Sequence, residues 1–247
     1  MLLEEAPLIT ACDRQQTNHD FKTWEGAATF SFSLFFYYLS LAKTVIWGDS
    51  ASFALMVKNF YLDPASDGHP LYVVIGQLFK KLPWEAAVNL NIMSAFFASL
   101  TVTLSYLIVR RLTASRLSAV SAAASLLVAH SFWAYAVVAE VYTLNAFILL
   151  LIIYLLLAWS YNPENNSLLY AGSFIFGLGI TNHMILALAG IAVLFMLGAY
   201  RPRLFLEGKP LIKILACFAI GSSLYWGLLI HWYFAYPAKT AQIIDIV

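Results

Sequence analysis

Hydrophobic and polar positions follow two different patterns along this chain. Before residue 47, and again from residue 86 onward, apolar residues run almost unbroken over membrane-crossing lengths, and polar residues are confined to the joints. The stretch 47–84 is different. There Phe53, Met56, Val57, Phe60 and Tyr61 recur at helical spacing, as do Leu71, Val74, Ile75, Leu78, Phe79 and Leu82, with Lys58, Gln77, Lys80 and Lys81 between them. This predicts two amphipathic helices lying in a membrane interface. The run DPASDGHP separates them, its Pro, Gly and Asp content ending one helix and opening the next.

The unbroken stretches predict seven spans of roughly 15 to 24 residues, against the ~20 that cross ~30 Å of hydrocarbon. They fall near 27–47, 86–109, 117–135, 141–160, 168–181, 184–200 and 212–234. The fifth and sixth are short and broken only by Asn182-His183, which reads as a hairpin. The expected fold is all-α: a polytopic membrane protein with a long first loop outside the cytoplasm holding the two interfacial helices. Residues 1–26 carry Glu4, Glu5, Asp13, Asp20 and Glu25 and lack a basic start before a short apolar core, so they read as a cytoplasmic tail, not a signal peptide. Residues 27–247 form the membrane domain.

Composition narrows the class further. With 62% hydrophobic and 11% charged residues the chain belongs in a membrane. A net charge of +1 and no basic cluster interleaved with aromatics give no reason to expect nucleic-acid binding. Cys12 lies in the polar tail and Cys217 in a span, so no disulfide is expected between them.

Orientation follows the basic residues. Arg110, Arg111 and Arg116 follow the second span, and Arg201, Arg203, Lys209 and Lys213 follow the sixth, which places both turns in the cytoplasm. The long first loop then faces the other side, despite Lys58, Lys80 and Lys81. The acceptor pattern Asn165-Asn166-Ser167 falls in a cytoplasmic turn, where no glycan would be added.

This topology gathers polar groups at one face. Asp49, His69, Glu140, Asn182, His183 and His231 reach the extracytoplasmic side, and His130 lies about five residues below it. Such a gathering of titratable groups suggests a site. Each also has a plainer structural reading. Asp49 can cap the helix that starts near Ala51, although Ser50 can do so instead and free it. Glu140, in FWAYAVVAEVYTLNAF, needs a partner or water in so apolar a setting. His183 can be a polar turn wetted by headgroup water, and His69 before Pro70 a turn residue. His130 can be an interior histidine bonded to a neighbouring helix. His231 sits among the aromatics of an interfacial belt. No zinc-ligand spacing, phosphate-binding glycine loop or Gly-x-Ser-x-Gly elbow is present, and no internal repeat marks inverted halves.

The order GDSASF, GHPLYVVIGQLFKKLP, AAVNLNIMSAFFASLTV, FWAYAVVAEVYTLNAF and GLGITNHMILAL resembles the membrane-protein family called domain of unknown function 2723. That family includes the vertebrate protein O-mannosyltransferase of the endoplasmic reticulum and belongs to the multi-pass, C-type glycosyltransferases. The resemblance covers about 45–200, with Glu140-Val141-Tyr142, Pro70-Leu71-Tyr72 and Asn182-His183 its most specific pieces. It implies transfer of a sugar, with mannose the candidate, from a polyprenyl-phosphate donor to a hydroxyl acceptor such as protein Ser or Thr. The setting would be the outer face of a bacterial inner membrane or the lumenal face of the endoplasmic reticulum. It also implies an essential acid at Asp49. Two departures stand out: Ser52 where many members have a second acid, and Asp63-Pro64 and Asp67-Gly68-His69 where many have His-Pro-Pro-Gly.

The chemistry can be reasoned without the family. Joining a sugar to a hydroxyl needs a carboxylate to take the acceptor's proton while charge leaves on the phosphate. Asp49, at the water boundary, suits that role, with Glu140 the second catalytic candidate. His69, His183 and Lys58, or a divalent metal held by Asp49 and Glu140, can meet the phosphate, and the motifs of the resemblance add Tyr72 and Asn182 to the expected substrate-binding set. The lipid tail of the donor would lie between helices. The competing reading is a multi-pass transporter or a non-catalytic membrane subunit that uses Glu140 and His183 as a relay. Enzymes of this type usually have more helices, so the domain is expected to be incomplete at its C-terminus.

Overall fold

The computed structural model describes residues 23–46, 48–62 and 69–235 of the chain. These are helical, with no strand among the described residues. In chain order the helices are α1 (Thr23–Leu39), α2 (Ser50–Asn59), α3 (Pro70–Phe79), α4 (Ala86–Thr113), α5 (Arg116–Val128) and α6 (His130–Ala136). Then come α7 (Tyr142–Ser160), α8 (Ser167–Asn182), α9 (Ala189–Tyr200), α10 (Gly208–Gly221) and α11 (Ser223–Ala235), with short 3-10 turns at Met184–Leu188 and Pro202–Leu206.

The spine is α4. Its 28 residues make a rod of ~42 Å, long enough to touch most of the other helices. On one flank Ala98, Val102 and Tyr106 pack with Tyr37 of α1 and Ala119 of α5. On the other, Leu90, Met93 and Phe97 join Phe53 and Met56 of α2, Tyr72 of α3 and Leu144 of α7. Beyond α7 the stack continues through α8 to α10.

The expectation of seven spans is corrected. Among the described residues two helices, α4 and α7, are long and apolar enough to cross a membrane, or up to four if each of two bent pairs counts as one span. The segment expected at 117–135 bends by 66° between α5 and α6, and the one at 212–234 bends by 48° between α10 and α11. The remaining expected spans are shorter helices: α1 stops at Leu39, well before residue 47, and α8 and α9 have 16 and 12 residues. Local geometry accounts for the breaks. Ala129 is extended, with ψ 119°, and ends α5 although no Pro or Gly marks the spot. The two to four candidate spans mark an integral membrane protein.

The two amphipathic helices are present as α2 and α3, with a difference in how they are used. Phe53, Met56, Val57, Leu71, Tyr72 and Val73 are buried against α4 and its neighbours, while Leu55, Phe60, Val74 and Leu78 stay exposed. Each helix therefore has an inner face for the core and an outer apolar face for lipid. Gly76 lets them meet: a Cβ there would come within 2.6 Å of Val57 Cγ2. The expected linker residues 63–68, the tail residues 1–22 with Cys12, and Trp47 lie outside the described residues.

α8 and α10 cross with their backbones in contact. A Cβ on Gly177 would lie 2.4 Å from the Phe218 carbonyl oxygen, and one on Gly221 2.2 Å from that of Phe174. Small residues at such a crossing allow close helix packing in a membrane. Gly221→Val is expected to destabilise the protein by about 2 kcal/mol or more, since backbone has no room to give. Thermal unfolding in detergent measures it, with exposed Gly208→Ala as the neutral control.

Ion pairs secure the end of the bundle where α4 stops. Glu25 accepts a hydrogen bond from Tyr106 (2.8 Å) and pairs with Arg116 (2.8 Å). Arg201 bonds the Pro163 carbonyl (2.8 Å) and Glu207 (2.6 Å). Residues 40–46 and 48–49, the loop 137–141 and residues 182–184 meet at the opposite end.

Candidate functional site

Four small polar residues hold those loops in place. Asn91 Nδ2 donates to the Ala42 carbonyl (2.8 Å), and Ala42 N–H donates to the Val137 carbonyl (3.1 Å). Ser94 Oγ accepts from the Glu140 N–H (3.3 Å) and lies 3.5 Å from its carbonyl. Asn89 bonds the carbonyls of Leu82 and Trp84, which fixes the turn after α3. Ser50 Oγ donates to the Ala139 carbonyl (3.0 Å). Polar groups inside an apolar helix must find partners, and here they find loop backbone. The sequence reading gave Asn89, Asn91 and Ser94 no role. Their signal was present in AAVNLNIMSAF, three buried-face polar residues in a membrane-length helix.

Glu140 and Asp49 are built as a pair. The Glu140 side chain is only 9% exposed, and its carboxylate accepts the backbone N–H groups of Val141 and Asp49. Burial and, after it, the nearby Asp49 carboxylate push its pKa up to about 7, while the two N–H groups pull the other way. Gly48, at φ +101°, completes the turn: any Cβ would be strained there and would sit 3.6 Å from Glu140 Oε1. Asp49 occupies the N-cap position of α2, yet its side chain makes no cap hydrogen bond and is exposed. Ser50 does not cap either, because its hydroxyl serves Ala139. The Asp49 backbone is thus held by Glu140, while its carboxylate makes no cap hydrogen bond to α2.

The histidines join from the 182–184 loop and the start of α3. Asn182, fully buried, donates Nδ2 to the Val141 carbonyl (3.2 Å), next to Glu140. Its own carbonyl accepts from His69 Nδ1 at 2.5 Å, which requires the proton on Nδ1 and turns Nε2 the other way. His69 has φ 33° and ψ 56°, a left-handed conformation costly for a side chain and more so before proline. Its ring is fixed between Phe53 (5.5 Å) and His183 (5.5 Å). His183 in turn lies 6.0 Å from the Tyr142 ring, and its Nδ1 accepts from the Ile185 N–H (3.2 Å).

The structure therefore brings Asp49, Glu140, Asn182, His69 and His183 to one end of the bundle. Of the other expected residues Tyr72 lies beneath this cluster, whereas among the described residues Lys58, His130 and His231 make no hydrogen bond or ring contact with it. Tyr72 is fully buried under Phe53, its hydroxyl directed toward Ser94 and Glu140 without a well-formed hydrogen bond. Lys58 stands nine residues along α2 from Asp49, ~14 Å of helix, and its carbonyl accepts from Lys80 Nζ (2.7 Å). His130 is exposed at the far end of α6, and His231 is exposed on α11. Among the described residues no group of three His, Cys, Asp or Glu side chains is placed to hold a metal ion. A divalent cation would meet one exposed carboxylate, Asp49, beside a Glu140 already engaged by two N–H groups, so these residues do not form a cage for it.

The family model described as protein O-mannosyl-transferase TMEM260 N-terminal domain matches residues 49–203. The chain belongs to this family. The match starts at Asp49 and takes in α2 through α9, so every member of the five-residue cluster falls inside the family domain. No curated protein and no solved structure matches the chain. Membership makes it a membrane protein related to protein O-mannosylation.

Glu140 gives the site a pH dependence. Ionising it costs more in the folded chain than in the unfolded one, so stability falls as pH rises from the ordinary 4.5 toward 7. Glu140→Gln carries no such charge. Its melting temperature relative to the native protein is expected to rise by a few degrees between about pH 5 and 8, as thermal scans at the two pH values measure.

Proposed function

We propose that this chain is the sugar-transferring membrane domain of an O-mannosyltransferase, with Asp49 as its general base. The donor would be a polyprenyl-phosphate mannose and the acceptor a protein Ser or Thr hydroxyl, at the extracytoplasmic face. The observation that supports this best is the division of labour between two adjacent carboxylates. Glu140 is buried and accepts the N–H of Asp49, whereas Asp49 keeps its own carboxylate exposed and free of capping.

In the reaction the acceptor oxygen bonds to the anomeric carbon while the bond from that carbon to the phosphate oxygen breaks. The electron pair leaves on the phosphate and the hydroxyl proton passes to Asp49. A single displacement of this kind inverts the anomeric configuration. His69, fixed through Nδ1 to Asn182, and His183 beside it are the members of the cluster that can donate to the departing phosphate. Glu140 acts through Asp49 by setting the Gly48-Asp49 turn, so its role is positioning, and Tyr72 supports the floor beneath.

The test is transfer of labelled mannose from a polyprenyl-phosphate donor to a Ser/Thr-containing peptide in proteoliposomes holding the full chain. Transfer that depends on Asp49 supports the reading. Movement of the intact donor across the bilayer, without transfer and unaffected by Asp49→Asn, would establish the transporter reading instead.

A further inference from the structure

The rings around the site form one continuous run. From Phe53 it passes to His69 (5.5 Å), then His183 (5.5 Å), Tyr142 (6.0 Å) and Tyr135 (4.6 Å). It begins in the core and ends in the open, where Tyr142 is 43% and Tyr135 41% exposed. The neighbouring aromatics are spent on the fold: the Phe132 ring packs on Tyr37 (6.5 Å), and Trp133 Nε1 donates to Ser40 Oγ (2.9 Å). Among the described residues neither the Tyr135 nor the Tyr142 hydroxyl makes a hydrogen bond to another group of the chain. The reaction as derived gives the pair no part.

The fold sets these two tyrosines in advance. Tyr135 lies in the last turn of α6 and Tyr142 opens α7, at the two ends of the loop 137–141. That loop is tied at four points. The Val137 carbonyl accepts from the Ala42 N–H (3.1 Å), the Ala139 carbonyl from Ser50 Oγ (3.0 Å) and the Val141 carbonyl from Asn182 Nδ2 (3.2 Å), while the Glu140 N–H donates to Ser94 Oγ (3.3 Å). A pair held this way costs a ligand little ordering. Its place relative to the chemistry is equally defined. Tyr142 adjoins His183, and the charges of both Glu140 and Asp49 act on its hydroxyl. It therefore borders both the histidines assigned to the phosphate and the carboxylate assigned as base. A tyrosine that only anchors a helix at the bilayer boundary needs no carboxylates beside it.

On the transferase reading given above, we propose that Tyr142 and Tyr135 form the sugar subsite of the donor, the platform on which the hexose of a polyprenyl-phosphate sugar packs its C–H face. One oxygen separates phosphorus from the anomeric carbon in such an ester. A donor with its phosphate on His69 and His183 and its anomeric carbon attacked beside Asp49 thus has its sugar at the next ring of the run, Tyr142. Tyr suits the task, since its flat apolar face meets the C–H groups of a pyranose while its hydroxyl edge tolerates water and sugar hydroxyls. The face of an aromatic ring also attracts the positive charge that develops on the sugar in the transition state.

The experiment compares two ligands of the full chain in detergent, polyprenyl-phosphate mannose and polyprenyl methyl phosphate, which is the same diester without the sugar. Affinities are read from the rise in melting temperature with ligand concentration. The native protein is expected to bind the mannosyl diester roughly tenfold more tightly. Tyr142→Leu should erase that preference and leave the sugar-free diester bound as in the native protein. Tyr142→Phe keeps the ring and should keep the preference, and Tyr135→Leu should reduce it, a result that does not depend on how the Tyr142 variants fold. Equal affinities in the native protein would overturn the proposal, as would an undiminished preference in both leucine variants. Loss of the preference in Tyr142→Phe would overturn it by assigning the contact to the hydroxyl. So would a raised KM for the acceptor peptide in Tyr142→Leu with the donor preference intact, which would assign the pair to the acceptor. The preference should persist in Asp49→Asn. Failure of the transferase reading shows in the mannose-transfer assay, which these binding measurements do not use, so the two proposals fail separately.

Discussion

Asp49→Asn is expected to lower mannose transfer by roughly 10²–10⁴-fold, the range a positioned general base contributes. The substitution keeps size and shape and removes the basic oxygen. Little else should change. The Asp49 side chain makes no cap hydrogen bond in α2, and the interaction that holds this residue runs through its backbone N–H to Glu140, which Asn retains. Donor binding should be close to native, so the loss appears in turnover and not in apparent affinity. A capping residue would behave in the opposite way. Replacing a cap costs about 1 kcal/mol of stability and leaves chemistry alone. Paired assays of transfer and thermal unfolding separate the two.

The second large effect is expected at Glu140. Glu140→Ala leaves the N–H groups of Asp49 and Val141 without their acceptor; at buried Val141 that loss costs about 1–3 kcal/mol, whereas at exposed Asp49 water replaces the carboxylate. The turn is then free to move Asp49, and a displacement near 1 Å in a reacting group costs about 10²-fold in rate. Glu140→Gln keeps one acceptor oxygen and should lose much less. If the carboxylate itself took the proton, Gln and Ala would be equally inactive. Rates for the two variants, measured beside their melting temperatures, decide between a positioning and a catalytic role.

Much of this site was readable from the residues. Asp49, Glu140, Asn182 and His183 stand at the joints between apolar stretches, and counting those stretches is enough to place them at the same end. The inner face of α2 was equally plain at Phe53, Met56 and Val57, because burial at helical spacing leaves a periodic trace, whereas in α3 only Leu71 of the expected stripe is buried: Val74 and Leu78 are exposed and Tyr72 and Val73 face the core. What the pattern cannot convey is where an apolar stretch bends. LLVAHSFWAY contains no breaker, yet α5 ends at Val128 and the chain turns by 66°. Hydropathy measures composition over a window and is blind to a single extended residue such as Ala129. Lys58 shares a loop with Asp49 in sequence, but a helix carries it ~14 Å along α2 from that residue, a separation the loop alone does not convey. The use of Asn89, Asn91 and Ser94 as clasps depends on loop backbone groups more than 40 residues distant in two of the three cases, which no local pattern encodes.

The most direct test of a single site in which Glu140 works only through Asp49 is a double-mutant cycle on mannose transfer. It compares the native protein, Asp49→Asn, Glu140→Ala and the double variant in the same proteoliposomes. The double variant is predicted to transfer no more slowly than Asp49→Asn alone, because once the base is gone its placement has no effect. Losses that simply multiply would mean that the two carboxylates act independently, and would contradict the account.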